Sequence, residues 1–98
     1  MKTVRSDWQG AVLICRKCSK KLDGGFGKGG KQHLAKALRK EAKLKKGRKA
    51  LLGIVEVPCL GVCPGGAVTV VDTRRPGEWM IVRKGADPAE VASELGLE

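Results

Sequence analysis

The amino-acid sequence predicts an α/β domain built on a mixed four-stranded sheet, and three observations carry that prediction. Short apolar runs rich in Val and Ile are separated by loops, one long amphipathic segment lies between the first two runs, and an Asp-Pro pair opens a last helical stretch.

Taken in order, Ala11 to Ile14 is a continuous apolar run ending at Cys15, which reads as a buried first strand. Residues 23–30, Asp-Gly-Gly-Phe-Gly-Lys-Gly-Gly, carry five glycines, and that much backbone freedom predicts a flexible or tightly wrapped loop. From Lys31 to Lys46, Leu34, Leu38 and Ala42 recur every four residues with Ala35 beside them, while Lys36, Arg39, Lys40 and Lys43 fill the other positions. This is the pattern of an amphipathic helix, with Lys45 and Lys46 suited to its negative end and Gly47 to its C-cap. Ala50 to Val57 reads as a second strand, which the intervening helix makes parallel to the first. After Pro58 and a Gly-rich loop, Ala67 to Val71 forms a third strand. Thr73 to Gly77 turns at Pro76, and Glu78 to Arg83 returns as a fourth strand, with Trp79 and Ile81 on one face and Met80 and Val82 on the other. Asp87-Pro88 caps and opens the last helix, with Val91 and Leu95 inward and Gly96 ending it.

The resulting order, β-α-β-β-β-α, is that of the thioredoxin fold. Such a fold brings the end of the first strand close to a proline-containing loop before the third. Cys15 and Cys18 leave the first strand, and Cys59 and Cys63 lie in that loop. The two pairs are therefore expected to face each other.

With 98 residues, the chain buries only about two-thirds of its unfolded surface, so residues 1–98 are read as a single domain. Aromatic residues make up 3% of the chain, which leaves the core to Val, Leu, Ile and Ala. A metal cross-link between distant segments would help so small a fold. The start of the chain is polar and the run Ala11 to Ile14 is too short for a membrane span, so a cytoplasmic protein without membrane attachment is expected. In that reducing compartment four cysteines read as metal ligands or redox thiols before structural disulfides.

The net charge of +10 is unevenly placed. The stretch from Lys28 to Lys49 holds ten Lys or Arg and one acid, Glu41, a local balance of +9, whereas residues 50–98 sum to −3. Three uses fit this basic face: nucleic-acid binding, docking of an acidic redox protein, and simple solvation. The helix offers no aromatic side chain for base stacking. A homodimer is compatible with the sequence.

Four cysteines grouped as C-x2-C and C-x3-C, forty residues apart, match the needs of a tetrathiolate centre, two chelating pairs delivered by two loops. None is left over, and all four sit among Gly, Pro and Lys instead of in apolar runs. The segment Val57-Pro58-Cys59-Leu60-Gly61-Val62-Cys63-Pro64-Gly65-Gly66-Ala67-Val68 resembles the second cysteine motif of thioredoxin-like [2Fe-2S] ferredoxins, which are related to the small thioredoxin-like subunit of NADH:quinone oxidoreductase. Val12-Leu13-Ile14-Cys15 is similar to the first strand and first ligand of that family, and Trp79 suits it too. The resemblance implies an electron carrier, not an enzyme, with a [2Fe-2S] cluster on Cys15, Cys18, Cys59 and Cys63 and a redox protein as its partner. Arg16, Lys17, Lys20 and Lys21 flank the first pair and would offset the −2 charge of the oxidised site.

Zn2+ on the same four thiolates is the main alternative, since a close C-x2-C pair suits a tetrahedral ion and the basic helix could then serve nucleic-acid or acidic-partner binding. A dithiol oxidoreductase would use Cys15-Arg16-Lys17-Cys18 alone. It needs a helix N-terminus at Cys15, whereas the helix legible in the sequence starts about a dozen residues later. His33, the lone histidine, reads as an exposed polar residue near the helix start. No Ser/His/Asp set, carboxylate pair or phosphate-binding loop is present.

Overall fold

A computed structural model describes residues 1–42, 50–62 and 64–97. Strands β1 (Gly10–Cys15), β2 (Leu52–Val57), β3 (Ala67–Asp72) and β4 (Met80–Arg83) form one mixed sheet in the order β2-β1-β3-β4. Three α-helices accompany it: α1 (Arg16–Lys21), α2 (Leu34–Ala42) and α3 (Pro88–Glu94). β1 pairs with β2 in parallel and with β3 antiparallel, and β4 completes an antiparallel hairpin with β3. The sequence expectation for α2 ran on to Lys46 and Gly47, which lie outside the described residues. The fourth strand begins at Met80 instead of Glu78, which leaves Trp79 at its threshold, 43% exposed, with its indole N–H donated to Pro76 O at 3.0 Å.

Strand periodicity explains the core. Val12 and Ile14, Leu52 and Ile54, Val68 and Val70, and Val82 are alternate residues of their strands and fall in one buried cluster with Leu34 and Leu38 of α2 and Val91 and Leu95 of α3. Both helices therefore cover the same face of the sheet, and they pack against each other. α3 begins as its sequence demands: the Asp87 side chain accepts the Ala89 N–H at 3.0 Å, Pro88 occupies the first turn, and Gly96 takes a positive φ of 68° just past the last turn. Phe26, alone among the glycines of residues 23–30, is 1% exposed and anchors that loop, which is wrapped and not free. The loop closes on itself through Phe26 N to Gln32 O at 3.1 Å and Gln32 N to Phe26 O at 2.8 Å.

The sheet edges are managed by polar contacts. β2 is an edge strand, and the Arg39 guanidinium of α2 reaches its free Ile54 carbonyl at 2.6 Å. Arg39 is thus engaged with the sheet and does not belong to a purely solvated stripe. His33 likewise differs from the exposed residue expected of it, since its Nδ1 lies 2.8 Å from Glu56 on β2. Among the described residues no helix is long and apolar enough to cross a membrane.

Asp72 ends β3 and is 5% exposed. Its carboxylate accepts Arg74 Nε at 3.0 Å and Arg74 Nη2 at 2.8 Å, while the same Nη2 reaches Leu95 O at the end of α3 at 2.6 Å. The guanidinium hydrogen bonds, partly opposed by burial, hold the Asp72 carboxyl below the usual carboxylate range. A depressed folded-state value gives stability that is complete above the unfolded value and disappears as pH falls through the lower, folded one. Asp72→Asn should therefore cost about 1–3 kcal/mol near neutral pH. Chemical denaturation across an acid series should show the gap to the parent closing below pH ~4, and a gap that persists undiminished there would assign the loss to packing.

Candidate metal centre

Topology puts both cysteine motifs at one end of the sheet. In the parallel register Cys15 is opposite Val57, so Cys59 lies two residues past the end of β2, beside the end of β1. β3 runs the other way, with Val70 opposite Ile14, so its first residue, Ala67, starts from this same end.

The first motif is held by a helix that the sequence reading did not place. Cys15 is the N-cap of α1: it has extended backbone, and its Sγ accepts the Cys18 N–H at 3.4 Å. Ser19 Oγ donates back to Cys15 O at 3.0 Å, and Leu22 N closes the last turn on Cys18 O at 3.1 Å. Gly24 then reverses the chain with a φ of 90° and its N–H on Ser19 O, where a Cβ would overlap the Lys31 carbonyl. Cys15 is 0% exposed and Cys18 is 2% exposed. The expectation that no helix begins at Cys15 is corrected. Six residues with four cations and no apolar repeat carry no amphipathic signal, and only the following Asp23-Gly24-Gly25 offers a stop.

The second motif is tied to the first at several points. The Lys17 N–H, one of the amides left open at the start of α1, donates to Pro58 O at 3.3 Å. Cys18 Sγ approaches Val62 O at 3.9 Å, and Thr69 Oγ1 on β3 donates to that same carbonyl at 2.9 Å. Burial pushes the Cys15 thiol up, but hydrogen bonds from the Cys18 amide and thiol and from the Leu60 and Lys17 amides outweigh it, and the thiol lies below its ordinary value. One buried sulfur thus collects donors from both loops.

Cys59 behaves differently. It is exposed, and its Sγ accepts the N–H of Gly61 at 3.3 Å. Cys63 lies outside the described residues. Among the described residues, no three His, Cys, Asp or Glu side chains gather closely enough to hold a metal ion. The structure therefore brings Cys15 and Cys18 together and brings the second loop, through Leu60 and Val62, against them. The buried Cys15 sulfur, whose anionic form is favoured, and its neighbour Cys18 are a pair of the kind that binds a metal, while the exposed Cys59 sulfur is not gathered with them among the described residues.

Thr69 was not singled out in the sequence, where it reads as one residue of a strand. It is a positioning residue, because its hydroxyl fixes the Val62 carbonyl that Cys18 meets. In Thr69→Val, fold stability should fall by about 1 kcal/mol, the usual worth of one hydrogen bond. Alkylation of metal-free protein, followed by peptide mapping, should show Cys18 labelling several-fold faster while the already exposed Cys59 is unchanged. Equal rates in parent and variant would remove Thr69 from the site. Comparison of the chain with protein-family models, curated proteins and solved structures finds no match.

Proposed function

We propose that this chain is a thioredoxin-like [2Fe-2S] protein that carries single electrons, with Cys15, Cys18, Cys59 and Cys63 as cluster ligands and no substrate of its own. The observation that carries the reading is the joining of two cysteine loops forty residues apart at one sheet end, with amide N–H groups directed at Cys15 sulfur. The sheet order β2-β1-β3-β4, with one parallel and two antiparallel pairings, supports the thioredoxin-like assignment. When bound, the cluster supplies reversible one-electron chemistry.

The chain's own residues would set the conditions for that chemistry. Cys15 and Cys18 supply the buried thiolate pair, and the second loop supplies Cys59 and Cys63. Amide hydrogen bonds to sulfur lower the electron density on the ligands, and Arg16, Lys17, Lys20 and Lys21 offset negative charge, so both effects favour the reduced state. Such a site suits a reducing compartment, and the cytoplasm is the proposed location.

A second reading has an observation in its favour. Cys15 as a helix cap with a favoured thiolate, followed after two intervening residues by Cys18, is the layout of a dithiol oxidoreductase. Exposures of 0% and 2% leave a partner disulfide no approach to either sulfur, and the reading gives Cys59 and Cys63 no task. Zinc on the four thiolates remains the alternative metal.

One preparation separates the three. Anaerobically purified protein should be coloured, with about two iron and two sulfide per chain, and Cys15→Ser should lose both. Colourless protein holding one zinc, or metal-free protein with a titratable dithiol, would overturn the cluster. In the coloured protein a redox titration should give a potential above the roughly −400 mV of plant-type ferredoxins. A value at or below that would show that the cations and amides do not tune the site.

A further inference from the structure

Resting on the metal-centre reading, we propose that the exposed face of α1 is a docking surface for the acidic face of a redox protein partner. The four cations of this six-residue helix, Arg16, Lys17, Lys20 and Lys21, are all exposed. They line a groove together with Pro58, the residue that leads into Cys59. Among the described residues none is neutralised by an acid: the ion pairs there are His33–Glu56 and Arg74–Asp72, in other parts of the fold.

This arrangement works against the helix that carries it. Arg16/Lys20 and Lys17/Lys21 are like charges one turn apart, and each such pair destabilises a helix. Arg16 and Lys17 also occupy the first turn, where the helix dipole favours acids, and the helix has no acid there. A solvated face selected for stability would alternate signs or place acids first. Four unpaired cations on so short a helix are instead complementary to a partner that brings the missing negative charge.

The setting favours a protein over a nucleic acid. Pro58 places apolar surface among the cations of the groove, and the exposed Val62 belongs to the same loop, its carbonyl meeting Cys18 of α1, the mixture of apolar and charged surface found in protein interfaces. Base stacking needs exposed aromatics, and the groove contains none; Phe26 is 1% exposed. In the basic stretch that begins at Lys28, Arg39 of α2 is committed to the Ile54 carbonyl, and five of the ten cations lie outside the described residues. Docking on α1 brings a partner to the edge of the sulfur site, where an electron has least distance to cross.

The test uses isotopically labelled full-length protein titrated with a glutamate-rich peptide at low salt and, separately, with a single-stranded RNA of matched charge. Peptide-induced shifts should map to α1 and the loop after Pro58. Arg16→Gln/Lys17→Gln should weaken peptide binding about tenfold, from two screened charge contacts. Lys36→Gln/Lys40→Gln, which removes the same charge from α2, should weaken it less than twofold. The α1 variant should keep or exceed the parent's melting temperature, because it relieves repulsion, and this separates lost docking from lost folding. Equal losses in the two variants, RNA binding more tightly than peptide through α1, or no peptide binding at low salt would each overturn the proposal. Peptide binding needs no cluster, so iron and sulfide assayed on the same samples show separately whether the metal-centre reading stands.

Discussion

The sulfur of Cys15 is the point through which the rest of the site is organised. It ends β1, caps α1 by accepting the Cys18 N–H, and takes a further amide from Leu60 of the loop that follows β2. Two segments distant in sequence, the β1–α1 junction and the loop after β2, therefore meet at one acceptor. A thiol is a poor acceptor for so many donors, whereas a thiolate or a metal-bound sulfur is a good one, and the depressed thiol value is the expression of that preference. Satisfying these amides elsewhere would require α1 to begin differently and the second loop to leave the sheet end.

The parts of the fold that were legible in the sequence are those marked by an apolar run or by capping residues. Ala11 to Ile14, Ala67 to Val71 and the Asp87-Pro88 helix start declare themselves through apolar runs and capping chemistry, because the same residues that fill the core also define the element. That the two cysteine motifs would approach each other was expected from the thioredoxin-like order of elements, and the parallel register of β1 and β2 puts the ends of both strands at one end of the sheet. α1 was illegible for the opposite reason. Its buried stripe is Cys18 and Ser19, neither counted as apolar signal, and its cations obscure the helix they sit on. The task of Phe26 was also hidden, since a single aromatic among glycines gives no period although it anchors the loop. The engagement of Arg39 and His33 could not be read either, because both depend on which strand lies at the edge beneath α2.

Local rules and the global fold agree over most of the described chain and part company at α1. α3 opens with Asp87 and Pro88 and has Glu90 in its first turn, all favoured there. α1 opens with Arg16 and Lys17, both disfavoured there, and although its last turn suits Lys20 and Lys21, each of these lies one turn from a like charge. Departures of this kind concentrate at functional sites, where a residue is retained for its interaction and not for the stability of its own element. The contrast between two short helices of one small domain makes the departure specific to the end that carries the sulfur atoms.

Burial bears differently on the two redox chemistries that a C-x2-C pair can support. Thiol–disulfide exchange requires the attacking sulfur to touch the partner's sulfur, so at least one cysteine must be reachable from solvent. Cys15 and Cys18 are both shielded, by their own helix and by the carbonyls and amides of the opposite loop. Electron transfer makes no such demand, because the donor and acceptor need only approach closely without bonding. The proposed centre, with a shielded sulfur pair, the Cys59 sulfur at the surface and a cationic groove at α1, would suit the passing of charge. The same geometry obstructs the passing of a disulfide, and on that ground the electron-carrier reading is preferred even though Cys15 has the cap and the favoured thiolate of an exchanging thiol.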